Sequence, residues 1–186
     1  STIDELRDEL EGLYADLEVG RIPTSIPKIE DPDILVATSV EEALGDAEYL
    51  EQFDALLIYA NHEEITSNQW KNLNSFIDQG GGFVPVHCAS WCFQNESGFD
   101  QLVGGRFASH KEGIFKATTI TPEHPAIKGV SAFEAWDETY VHKNHNEKDR
   151  TVLQVREVAG PDDNITESES WTWVRTQGKG RIFYTA

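Results

Sequence analysis

Methionine is absent from the 186 residues, and only two cysteines, Cys88 and Cys92, are present. A chain that begins at Ser1 without any Met points to a processed or cut N-terminus. The lack of a signal peptide therefore leaves periplasmic, extracellular and cytoplasmic settings open. Two cysteines do not make a disulfide framework. Their interval, Cys88-Ala-Ser-Trp-Cys92, is CxxxC, unlike the CxxC of redox and zinc motifs. No apolar run approaches the roughly 18–20 residues of a membrane-spanning helix, so membrane insertion is not expected. Positive charge is also scarce. Lys and Arg number 15 against 33 Asp and Glu, for a net charge of −18. That balance excludes nucleic acid as a partner, because such binding needs a basic face that displaces counterions. It also disfavours docking on an anionic membrane surface. The acidic surface reads most simply as a strongly solvated one.

What is present is the composition of a soluble globular chain, 39% hydrophobic and 26% charged, long enough for one real core. Ile3, Leu6, Leu10, Leu13, Tyr14 and Leu17 recur at helical steps, predicting a helix from Ser1 to Glu18 that Gly20 ends. Pro23, Pro27 and Pro32 mark an irregular loop. Ile34–Ala37 reads as a strand. Ser39 and Glu42 form a capping-box pattern that opens a short helix toward Leu50. Asp54–Ala60 is a continuous apolar run, as in a parallel strand buried on both faces. Thr66–Gln79 carries Trp70, Leu73, Phe76 and Ile77 on one helical face, with Gly80 as C-cap. A strand follows from Phe83 to Val86.

This alternation predicts βαβ units and an α/β fold with a mostly parallel sheet and helices on both faces. Downstream, Gly98–Phe107 reads as a short helix and turn. Phe115–Ile120, Thr151–Val158, Trp171–Arg175 and Arg181–Thr185 read as strands, the last after a turn at Gly178–Gly180. The Asp- and Glu-rich stretch Gly160–Ser170 reads as a solvated loop. No internal repeat is visible.

The chemistry-bearing stretch is Gly80–Ser90: a glycine-rich turn, a buried strand, then an elbow with His87, Cys88 and Ser90. Ligands in open α/β sheets bind just past the carboxyl ends of strands. His87 and His110 are the leading catalytic candidates, because imidazole serves as acid or base near neutral pH. A structural histidine bonded to backbone is the alternative for each. Cys88 is a candidate nucleophile on an elbow, where a helix N-terminus favours thiolate. Its alternative is a buried inert cysteine, and Cys92 reads as packing. Glu138 is a candidate general acid or base. Asn61, His62, Trp91, Trp136 and Asp137 are candidate substrate-binding residues, since carboxylates beside aromatic rings suit sugars. The alternative for Asp137 and Glu138 is to bind loop amides. His142-Lys-Asn-His145 matches no strong zinc signature. His87, His110, His142, His145, Asp137 and Glu138 are adequate ligand types and leave a metal site as an alternative, but no metal or other cofactor is expected. Gly80–Gly82 precedes a strand rather than opening a helix, so it is no phosphate loop.

Five segments in order resemble the ThuA-like (trehalose utilisation) family. They are Gly80–Ala89, Leu102–His110, His124–Gly129, Asp137–Tyr140, and Trp173 with Gly178–Thr185, spanning roughly residues 54 to 186. The resemblance implies a three-layer, flavodoxin-like fold of the class I glutamine amidotransferase-like type and a role in carbohydrate metabolism. In the related amidotransferases a cysteine stands on the elbow, about where Cys88 falls. Tyr59-Ala-Asn-His62 and Trp136–His142 resemble versions at the front of larger bacterial proteins. This implies covalently fused haem-binding or other domains as partners.

Family members usually open with a strand and continue past the last one, so residues 1–186 are expected to be one ThuA-like domain truncated at both ends. Three functions follow as alternatives: an acid–base enzyme acting on trehalose or a related sugar, a non-catalytic carbohydrate-binding or interaction module, and a cysteine-dependent amidotransferase or hydrolase. In the first two the partner is a small-molecule carbohydrate.

Overall fold

The computed structural model describes residues 21–23, 33–37, 40–160 and 164–186. The strands are β1 (Arg21–Pro23), β2 (Asp33–Ala37), β3 (Ala55–Ile58), β4 (Gly82–Pro85), β5 (Arg106–Ser109) and β6 (Glu112–Thr119). They continue with β7 (Phe133–Glu138), β8 (Val141–Lys143), β9 (Arg150–Ala159), β10 (Ile165–Gln177) and β11 (Gly180–Thr185). The helices are α1 (Val40–Gly45), α2 (Ala47–Leu50), α3 (Ser67–Gln79) and α4 (Gly98–Val103), with a 3₁₀ turn at His87–Trp91. The predicted helix at Ser1–Glu18 and the Ser39 cap lie outside the described residues.

Nine strands form one sheet in the order β1-β2-β3-β4-β11-β10-β9-β6-β7, and β5 pairs with β8 in a separate ribbon. The sheet is mixed, which corrects the expectation of a mostly parallel one. Strands β2, β3, β4 and β11 run parallel. From β11 outward through β10, β9, β6 and β7, every pairing is antiparallel. For β10 and β11 the cause is connection length. β10 and β11 are joined through Gly178 and Lys179 alone, and so short a turn can only reverse the chain. A parallel neighbour needs a crossover of a dozen residues or more, as α3 supplies between β3 and β4.

Within the expected loop Gly160–Ser170, the residues from Ile165 onward are strand instead. β10 begins at Ile165 and pairs with β9 through Ser168↔Glu157 and Glu169↔Arg156. Its alternating Glu and Ser residues make a strand whose partners are backbone groups, so it carries no apolar signature.

The parallel half is built as its sequence suggests. Thr66 caps α3 in a reciprocal box with Gln69. Leu73, Phe76 and Ile77 bury one face of that helix against a core containing Leu56, Ile58, Phe83, Ile182, Tyr184 and Trp173. Gly80 ends the helix with φ 126°, a conformation that L side chains rarely adopt. At Gly81 a Cβ would come within 2.4 Å of the Phe76 ring, so any larger residue there would have to displace that ring from the turn into β4.

Candidate functional site

β3 and β4 are adjacent parallel strands, and their carboxyl ends lead directly into Tyr59, Asn61, His87 and Cys88. These four residues, with Trp91, Phe107, His110, Glu138 and Tyr140, line a cleft of about 380 Å³. Glu138 arrives from the end of β7 at the sheet edge. It is held there by Thr139, whose backbone N–H (2.6 Å) and Oγ1 (3.0 Å) both donate to the Lys111 carbonyl.

The Glu138 carboxylate spans two imidazoles. Its Oε2 lies 3.0 Å from His87 Nε2, and its Oε1 lies 3.6 Å from His110 Nε2. Tyr140 stacks on the His87 ring at 4.2 Å and packs against Phe107 at 4.6 Å. Burial and the neighbouring Glu138 charge push the Tyr140 hydroxyl well above its ordinary range, so it remains a protonated donor. A carboxylate set between two ring nitrogens brings one acceptor and two proton carriers together. The set can therefore accept and return a proton within one cleft.

His87 takes φ 50°, a left-handed conformation uncommon for a residue with a Cβ. The surrounding core holds it there. Its carbonyl accepts from Ser90 Oγ at 3.0 Å and from Tyr184 OH at 3.2 Å. Tyr184 OH also lies 2.9 Å from His142 Nε2, in the buried interior. A chain of polar groups thus backs the elbow from below. On the far side, buried Arg106 pairs with Asp100 and donates to the Cys92 carbonyl at 3.0 Å, which pins the loop after the elbow.

Cys88 lines the cleft with its Sγ 3.4 Å from the Ala60 carbonyl, as a donor. Burial, outweighing the backbone hydrogen bond, raises its thiol pKa, with a further push from the Glu138 charge. Cys92 is fully buried, donates to the same carbonyl at 3.0 Å, and has its thiol raised to about 11 by burial. It is a packing residue, as expected.

Of the nine residues singled out in the sequence, six line the cleft together: Asn61, His87, Cys88, Trp91, His110 and Glu138. The other three are placed elsewhere. Asp137 accepts from the Glu138 backbone N–H at 2.8 Å, and His62 is tied through its backbone to Cys92 and Phe93. Trp136 lies on the edge strand, 66% exposed. Tyr59, Phe107 and Tyr140 complete the lining without having been singled out. Tyr140 was findable, since residues two apart on an extended segment share a face and Glu138 was already a candidate. Among the described residues, no three His, Cys, Asp or Glu side chains are arranged to hold a metal ion.

The family described as ThuA, trehalose utilisation, matches residues 20–186. A search of curated proteins gives no match. Among solved structures, a ThuA-like protein from Parabacteroides merdae superposes with TM-score 0.64 at 15% identity, over 81% of this chain and 64% of that one. A second, from Bacteroides uniformis, gives 0.61 at 20% identity over 80% and 64%. A β-galactosidase from Rahnella sp. R3 gives 0.53 at 16% identity over 79% of this chain but 23% of its own. At these identities the likeness is one of fold. The chain spans just under two thirds of the length of the two ThuA-like structures.

Proposed function

Because the chain belongs to the trehalose-utilisation (ThuA) family, we propose that its cleft binds trehalose or a related sugar and performs acid–base chemistry on it. The observation that carries this reading is the Glu138 carboxylate set between His87 and His110 at 3.0 and 3.6 Å. A sugar hydroxyl entering beside that carboxylate finds an acceptor already oriented. On a sugar oxidised to a carbonyl, Glu138 can take the proton from the adjacent carbon while an imidazolium gives one to the carbonyl oxygen. The enol so formed collapses by the reverse transfers, which return a proton to carbon and one to imidazole. Trp91 and Tyr59 supply aromatic faces for the C–H faces of a sugar ring, Tyr140 supplies a hydroxyl, and Asn61 supplies an amide. In this reading the parallel strands β2, β3, β4 and β11 serve as the flavodoxin-like, amidotransferase-like scaffold.

Among the described residues, the cleft lining holds a single carboxylate. Glycoside hydrolysis by an acid and a second carboxylate needs two, so proton transfer on the sugar is the better fit. Thiol chemistry is disfavoured by the raised pKa of Cys88 and its hydrogen bond to Ala60. A non-catalytic binding module would use the same aromatic walls, and one experiment separates the two. Trehalose, other disaccharides and their oxidised forms are titrated calorimetrically, and turnover is followed by NMR of the sugar. Glu138→Gln is expected to keep binding within a few-fold while turnover falls about 10²–10⁴-fold. Binding without turnover in the wild type would leave the module, and no sugar binding at all would overturn both.

A further inference from the structure

The chain alternates across residues 138–141. Glu138 and Tyr140 face the cleft just described, whereas Thr139 and Val141 line a second pocket of about 420 Å³ on the other side. His110 borders both. The floor of the second pocket is Arg156 of β9, whose side chain is only 1% exposed. Its Nε and Nη1 find no hydrogen-bond acceptor among the described residues. The nearest charge is Glu167, with Oε2 at 3.5 Å from Nη1, an ion-pair contact without hydrogen-bond geometry. An arginine this deep with unmet donors is costly unless something completes its shell.

Glu167 is a poor permanent partner. Its side chain is 42% exposed, and its other oxygen leans outward to Lys111 Nζ at 3.4 Å, itself on the rim. We propose that this pocket binds a small-molecule carboxylate, which takes the place of Glu167 on the Arg156 guanidinium. The planar fork of arginine matches a carboxylate through two parallel N–H···O bonds. Lys111 at the rim and the hydroxyls of Ser168 and Thr139 remain for the rest of the ligand.

Charge decides which anion fits. Glu169 also lines the pocket, with its Oε1 3.5 Å from both His142 Nδ1 and His145 Nε2. A ligand carboxylate brings to Arg156 a single negative charge, the same as that of the Glu167 carboxylate it pushes out toward Lys111. A dianionic phosphate would add a negative charge beside Glu169. The volume is that of a small-ligand site and accommodates a molecule the size of a sugar acid.

The test uses the full chain and calorimetric titration with D-glucuronate, D-glucose and inorganic phosphate. Glucuronate is expected to bind one site that glucose does not fill and from which saturating trehalose does not displace it, which separates this pocket from the proposed sugar cleft. Glu167→Gln removes the competing carboxylate and should tighten glucuronate at least about tenfold. Arg156→Gln should weaken it at least about tenfold, with Arg156→Lys in between. Should the Arg156 variants fail to fold, Glu167→Gln decides alone. Unchanged or weaker binding in Glu167→Gln, displacement of glucuronate by trehalose, or phosphate binding more tightly than glucuronate would overturn the assignment.

Discussion

Cys88 shows how position and reactivity part company at the scale of one residue. It sits on the elbow beside two imidazoles, where a nucleophile would be placed. Yet its thiol donates to the Ala60 carbonyl and is partly desolvated beside the Glu138 carboxylate, all of which favour the neutral form. A raised pKa means that at pH 8 less thiolate is present than in a free thiol. Iodoacetamide should therefore label Cys88 more slowly in the native protein than in the urea-unfolded chain at the same pH. Its native rate should climb as pH passes 9, and Cys92 should stay unlabelled. Mass spectrometry of the alkylated peptides reads both sites, and rapid native labelling at pH 7 would restore the thiol as a nucleophile. His87, Glu138 and His110 were legible in the sequence because strand ends and turns expose polar residues for a reason. Asp137 does not line the cleft, because neighbours on an extended strand point to opposite faces, while Trp136, two residues from Glu138, stands farther out along the exposed edge strand.

The elements that read clearly from the sequence were those with one buried face or two. β3, β4, β11 and α3 pack on both sides or along one stripe, so hydrophobic periodicity announces them. β7 and the first half of β10 escaped for the converse reason. Phe133–Glu138 is an edge strand with no fully buried residue, and Ile165–Ser170 is a half-exposed ribbon of Glu, Ser and Thr. Their structure comes from ladder pairing with a neighbour that is remote in sequence, which no local pattern records. What locks the elements together is close approach at glycine. A Cβ at Gly180 would stand 2.2 Å from the Ile77 carbonyl and 2.7 Å from that of Gly81, so the start of β11 lies directly against the end of α3. Backbone carbonyls cannot rotate away as a side-chain tip can. Gly180→Ala should lose about 1–3 kcal/mol of stability in urea unfolding. Gly113→Ala, with open space around its Cβ, is the matched control and should change little. Equal losses at the two positions would show that no such contact exists.

For the whole molecule, the surface charge and the buried polar chain respond to acid in opposite directions. Lowering the pH toward the carboxylate range trims the net charge of −18 and relieves repulsion across the surface. The interior behaves otherwise. His142 is walled in by Tyr184, Trp173 and Tyr140, with Glu169, His145 and Arg150 as its charged neighbours. Burial lowers its pKa from 6.5, against the opposing pull of Glu169. A group whose folded pKa is depressed takes up its proton more readily in the unfolded chain. Its contribution is whole above about pH 6.5 and is lost progressively as the pH falls toward the folded value. Performing the melts in 0.5 M NaCl shortens the Debye length to a few ångströms and mutes the surface term. Under those conditions the wild type should lose more thermal stability between pH 7.5 and 5.5 than His142→Gln, whose amide does not titrate. A steeper loss in the variant would place the acid sensitivity on the surface instead. The expected result would mean that the support beneath His87, through Tyr184 and Ser90, is strongest above the pH at which free imidazole charges.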